Sequence, residues 1–127
     1  MVYKHIVMWK FKEQHNGKSA LENARWMKEQ LEGLVGVVPE LLSAEVGISP
    51  ALEQAAAAQS NAAAAPSNAA AAPAPAASGE YDACLISAFA SPEALAAYKV
   101  HPKHKAISAY CKEARVKRLA FDWWSEE

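Results

Sequence analysis

"EYDACLISAFASPEALAAYKV", residues 80–100, decides how this chain is built. Its first half, Glu80–Ala90, is rich in residues that favour a strand. That strand is apolar on both sides. Leu85 and Phe89 fall on one face, and Cys84, Ile86 and Ala88 on the other. At Ser91-Pro92-Glu93 the pattern changes: serine suits an N-cap, proline the first helical position, and an acid the first turn. A helix is predicted from there to about Val100. Pro102 then opens a second helical stretch reaching about Val116.

The flanking segments complete the order. Val2–Lys12 is rich in β-branched and aromatic residues and reads as a strand. Lys18–Gly36 places Leu21, Ala24, Met27, Leu31, Leu34 and Val35 at helical spacing, with Gly36 suited to the stop and Pro39 beyond it. Leu41–Ser49 alternates through Leu42, Ala44, Val46 and Ile48, and Lys117–Trp124 closes the chain as a strand. The order β-α-β, then β-α-α-β, predicts an α+β, ferredoxin-like plan: a four-stranded antiparallel sheet with helices on one face.

Residues 51–78 break the pattern. Sixteen of these 28 residues are alanine, Glu53 is the only charge, and "SNAAAAP" at 60–66 recurs unchanged at 67–73. Such a segment has no large side chain to bury against the entropy of ordering it. It is expected to be a flexible insert in the loop between the second and third strands, with at most a frayed helical turn near Leu52–Ala58. Cutting the chain there would leave two pieces too small for separate cores, so 1–127 is expected to form one domain.

Helices cover one face of such a sheet, yet the other face is apolar too. The first strand sets Val7, Trp9 and Phe11 against Ile6 and Met8, and the last sets Leu119, Phe121 and Trp123 against Ala120 and Trp124. An uncovered face of that kind is an aggregation hazard. A homodimer, with two sheets packed face to face, is therefore expected. The net charge of −1 gives no general pull toward nucleic acid or anionic membrane. The basic residues Lys99, Lys103, Lys105, Lys112, Arg115, Lys117 and Arg118 read as a solvated face, not a nucleic-acid surface. There is no long apolar run and no leader-like N-terminus. Cys84 and Cys111 are read as reduced thiols of a cytoplasmic protein.

"YKHIVMWKFK" at the start, residues 78–107 in the middle, and "RVKRLAFDWW" at the end resemble the stress-responsive dimeric α/β-barrel family, Dabb. The specific elements are Lys4-His5-Ile6-Val7, Tyr81-Asp82, and Tyr98 followed by His101-Pro102-Lys103-His104. The resemblance implies a ferredoxin-like protomer in a homodimer, with a short β2–β3 connection where this chain carries its insert. The family includes plant stress proteins and a polyketide cyclase that performs an intramolecular aldol condensation. By motif, that cyclase's catalytic histidine falls on His104, its tyrosine on Tyr98 and a strand-one pocket histidine on His5. A strand-three pocket histidine falls on Ala83, which argues against the same substrate.

His104 as base and Tyr98 as hydroxyl donor suit proton transfer beside a carbonyl. A pocket for a small apolar or aromatic ligand would draw on His5, Val7, Trp9 and Tyr81. His101, before proline, is expected to cap the second helix, so the two histidines do not form a metal clamp. His15 is expected to be solvated, and Asp82 to have a structural role. No metal or other cofactor is called for. Two function classes follow: a homodimeric binding or stabilising protein with a small apolar pocket, or a cofactor-independent, polyketide-cyclase-like enzyme using His104 and Tyr98.

Overall fold

The computed structural model describes residues 1–60 and 80–126. In chain order the elements are β1 (Val2–Phe11), β2 (Gln14–His15), β3 (Lys18–Ser19), α1 (Ala20–Glu32), β4 (Ser43–Ile48), α2 (Pro50–Ser60), β5 (Ala83–Phe89), α3 (Pro92–Val100), α4 (Pro102–Ala114) and β6 (Arg115–Ser125). The main sheet runs β4-β5-β1-β6 and all its pairings are antiparallel. This is the expected ferredoxin-like α+β plan, with β5 and β1 central.

Each helix begins where a side chain can satisfy its free amides. Ser19 and Glu22 form a reciprocal capping box at α1, and Ser91 accepts from Ala94 N at α3. His101 ends α3 and caps α4: its Nδ1 accepts from Lys103 N at 3.1 Å, with extended backbone at φ −64°, ψ 135°. The expected role of His101 is the observed one.

Three features of the fold depart from the sequence reading. Helix α1 stops at Glu32, not Gly36. Its last carbonyls are taken up by Gly33 N and by the tighter bonds Leu34 N to Leu31 O and Val35 N to Glu32 O. Gly36, at φ 89°, reverses the chain so that Leu34 and Val38 both enter the core. The "HNG" turn becomes a hairpin: Asn16 and Gly17, at φ 58° and 77°, join β2 to β3. His15 is half-buried there rather than solvated, edge-on to Tyr110 at 5.3 Å between centroids.

The third difference is α2, a helix over Pro50–Ser60 where at most a frayed turn near Leu52–Ala58 was expected. Ser49 starts it, its hydroxyl accepting from Ala51 N and its carbonyl from Leu52 N and Glu53 N. Pro50 holds the first position, alanine has the highest helix propensity, and Leu52 packs on the core. The rest of the expected insert, 61–78, lies outside the described residues.

The core lies between the sheet and α1, α3 and α4. Val7, Trp9 and Phe11 of β1 meet Val46, Leu85 and Phe89 of the neighbouring strands, and Ala24, Met27 and Leu31 of α1. Each of the valine, leucine, methionine and phenylalanine side chains among them contributes about 1.5–3 kcal/mol on full burial. Lys28 and Glu32, one turn apart, fasten α1 to the edge strand: Lys28 Nζ donates to Val46 O at 2.7 Å and Val46 N donates to Glu32 at 2.8 Å. Asp82 has the structural role expected of it. Its buried carboxylate accepts from Phe11 N at 2.9 Å and from Lys10 Nζ at 3.3 Å, where β1 shifts register against β6.

The opposite face of the sheet is apolar, and no described residue covers it. Phe121 and Trp123 stack there with centroids 5.9 Å apart, and Ile86, Leu119 and Phe121 are exposed. The β1–β6 register sets Ile6 beside Phe121 and Met8 beside Leu119.

Candidate active site

A cavity of about 220 Å³ lies on the helix side of the sheet. His5, Val7 and Trp9 of β1 form its floor with Leu85 of β5, and Tyr98 and His104 bound it from α3 and α4. The alternation of β1 explains the floor, since residues 5, 7, 9 and 11 are the ones that point inward. The break at His101-Pro102 explains the wall. It ends α3 just after Tyr98 and starts α4 just before His104, so both rings reach one space. Their centroids are 4.4 Å apart.

Tyr98 is 1 % exposed and its hydroxyl finds no hydrogen-bond partner. The indole N–H of Trp9 is likewise buried and unpartnered. Leaving a buried polar group unsatisfied costs about 1–3 kcal/mol. Both residues line the cavity, and both donor atoms are buried within its wall. Burial pushes the Tyr98 phenol up to about 12, so it is a donor throughout the neutral range.

The two histidines are held as acceptors. His104 Nδ1–H donates to the Lys99 carbonyl at 3.3 Å. His5 Nδ1–H donates to Asp122 at 2.5 Å. In each ring this leaves Nε2 with its lone pair. Burial is the main reason both histidines titrate below the ordinary value of 6.5. For His5 it outweighs the opposing effect of Asp122; for His104 it outweighs the Lys99 carbonyl. Lys99 and Arg118 push both the same way. At pH 7 each is a neutral imidazole able to accept a proton or a hydrogen bond.

Of the residues singled out in the sequence, His104, Tyr98, His5, Val7 and Trp9 share this cavity. Tyr81 does not join them. It precedes β5, with its ring under Lys117 Nζ at 4.8 Å, and borders a shallow depression with Met8 and Cys84 on the open side of the sheet. An odd-numbered β5 residue would point inward, but Tyr81 lies before the strand begins and escapes its alternation. Cys111 lines the cavity too; burial raises its thiol to about 11, so it is no nucleophile at neutral pH. Both cysteines are free thiols.

The sequence reading missed Asp122. Its signal was a lone acid within the apolar run "LAFDWW". Only the register of β1 against β6, which sets His5 opposite Asp122, gives that acid its meaning. Lys99, Arg115 and Arg118, read as part of a solvated face, border the cavity as well.

Among the described residues no helix is long and apolar enough to cross a membrane. Curated proteins offer no match to the chain. Solved structures do. A dimeric protein of ferredoxin-like fold from Bacteroides fragilis superposes with a TM-score of 0.68 at 20% identity, over 98% of this chain and 96% of that one. A protein from Arabidopsis thaliana gives 0.65 at 19%, over 98% and 96%. The hydroxynitrile lyase of Passiflora edulis gives 0.65 at 16%, over 99% and 95%. At these identities the likeness carries the fold. The profile of the Stress Responsive A/B Barrel Domain family, Dabb, matches residues 3–64 and 68–125, nearly the whole length. The chain belongs to that family.

Proposed function

We propose that this protein is a homodimeric, cofactor-independent enzyme that moves a proton on a small carbonyl compound held in the cavity. One observation carries the reading: the buried Tyr98 hydroxyl has no partner and stands beside His104, whose Nδ1 is committed to the Lys99 carbonyl. A carbonyl oxygen accepting from Tyr98 would satisfy the orphan donor. His104 Nε2 would then take a proton from the carbon next to that carbonyl, and the oxygen would gain the negative charge. Tyr98 and Trp9 stabilise that charge as buried donors. The imidazolium returns the proton either to carbon or to the alkoxide formed when the enolate attacks a second carbonyl. The latter is an intramolecular aldol addition, and either way protons balance without an outside reagent. His5, oriented by Asp122, accepts a hydrogen bond from a substrate hydroxyl.

One protein of this fold, from Passiflora edulis, is a hydroxynitrile lyase, so an enzyme on this fold has a precedent. A binding or stabilising role without catalysis is the second reading; the mostly apolar floor of Val7, Trp9 and Leu85 favours it. The bare face bearing Ile86, Leu119 and Phe121 supports a dimer of face-to-face sheets, as does the dimeric state of the Bacteroides fragilis relative. We place the chain as one domain, in the cytoplasm, where its free thiols would persist.

Deuterium uptake at the α-carbon separates the two readings. Small ketones are incubated with the protein in deuterium oxide and followed by proton NMR. Uptake by wild type that is lost in His104→Ala supports the enzyme; binding without uptake leaves only the binding role.

A further inference from the structure

We infer that the cavity selects compounds that carry a carboxylate as well as the carbonyl. This rests on the carbonyl reading above and adds the charge of the ligand to it.

Three cations border the cavity from three places in the chain: Lys99 at the end of α3, Arg115 at the junction of α4 and β6, and Arg118 within β6. The register sets Arg118 opposite Trp9, on the inward side of the sheet. No acidic side chain lines the cavity among the described residues. Nearby cations do find carboxylates: Lys117 pairs with Glu80 at 3.1 Å and Lys10 with Asp82 at 3.3 Å. Lys99, Arg115 and Arg118 form no ion pair with any described residue. Asp122, the acid nearest in the β6 alternation, is engaged by His5.

Unpaired cations at the rim of a low-dielectric pocket focus its field on an incoming anion. An Arg guanidinium receives a carboxylate through two parallel hydrogen bonds. The orphan donors inside, on Tyr98 and Trp9, then lie beyond the cationic rim and take a neutral oxygen. The arrangement grades from charge at the mouth to neutral donors within. It fits a short keto acid entering carbonyl first. Lys99 and Arg118 also lower the two histidines, a cost that a bound carboxylate offsets by neutralising the rim.

The test compares 4-oxopentanoate with its methyl ester, by calorimetric titration and by α-deuterium uptake. The acid should bind at least tenfold more tightly than the ester at low salt. Its affinity should fall as salt rises, while that of the ester should not. Arg118→Gln should shrink the acid-to-ester ratio toward one. Should that variant fold poorly, the salt dependence in wild type gives the same answer. Equal binding of acid and ester, with uptake from the ester abolished by His104→Ala, overturns the charge selection and leaves the carbonyl reading standing. Absence of binding and uptake for both overturns the two together.

Discussion

The rings of Tyr98 and His104 lie with centroids 4.4 Å apart across the break between α3 and α4. Proline makes this possible. A continuous helix through residue 102 would carry His104 along a fixed axis, whereas the His101-Pro102 step restarts the helix and turns residue 104 back over α3. Tyr98→Phe keeps the ring and its packing and removes only the orphan hydroxyl. Stability should therefore hold or rise by up to about 1 kcal/mol, since a buried unsatisfied group is lost. Turnover should fall by about 10²–10³, the range for losing one donor to a developing oxyanion. Thermal unfolding and the deuterium-uptake rate check the two halves separately.

The pH profile should be one-sided in the physiological range. His104 titrates below 6.5, so activity should reach its plateau by neutral pH and decline as the imidazole is protonated on the acid side. Tyr98, pushed up to about 12, should produce no alkaline limb below pH 10. Uptake rates from pH 4.5 to 9.5 report this; a bell centred near neutrality would assign the chemistry to other groups.

Stability follows the same two histidines. In the unfolded chain each binds protons near the ordinary value of 6.5, and in the fold each binds them less readily. The unfolded state therefore holds more protons as pH falls through 6.5, and stability should drop there. Glu32, held below the usual carboxylate range by Lys28 and by Val46 N–H, adds a further loss at lower pH, once it is protonated in the fold. Chemical denaturation at pH 7.5 and 5.5 should show the higher midpoint at pH 7.5.

Asp122→Asn should act on chemistry more than on folding. The amide can rotate to accept from His5 or donate to it, so the Nδ1–H tautomer is no longer enforced. Substrate affinity should weaken several-fold while the melting temperature moves little. Asp82→Ala is the contrast: it strands the buried amide of Phe11 and should cost about 1–3 kcal/mol with no direct effect on the cavity.

Phe121→Asp should break the association of the bare sheet faces. Light scattering at micromolar concentration should change from dimer mass to monomer mass, with far-ultraviolet circular dichroism retained.

The fold was readable because its signals are local. The strands carry their own runs of β-branched and aromatic residues, and Ser91-Pro92 and His101-Pro102 mark the two helix starts directly. Even the bare face could be inferred, since Ile6, Ile86 and Phe121 break a one-sided pattern. The site was half legible. His104, Tyr98, His5, Val7 and Trp9 were placed by motif and inward alternation. Asp122 stayed hidden because its role depends on pairing two strands at opposite ends of the chain. Arg118 stayed hidden because an exposed cation looks the same whether it faces bulk water or a cavity mouth. The α2 helix was obscured by composition: alanine lacks an apolar stripe, yet Ser49-Pro50 already carried the start signal.

The most direct measurement is the structure of the protein bound to a short keto acid. The ligand carbonyl should accept from Tyr98 Oη, with its α-carbon facing His104 Nε2 and its carboxylate at Arg118. A ligand seated elsewhere, or one whose carbonyl leaves Tyr98 Oη unpartnered, would contradict the proposed chemistry.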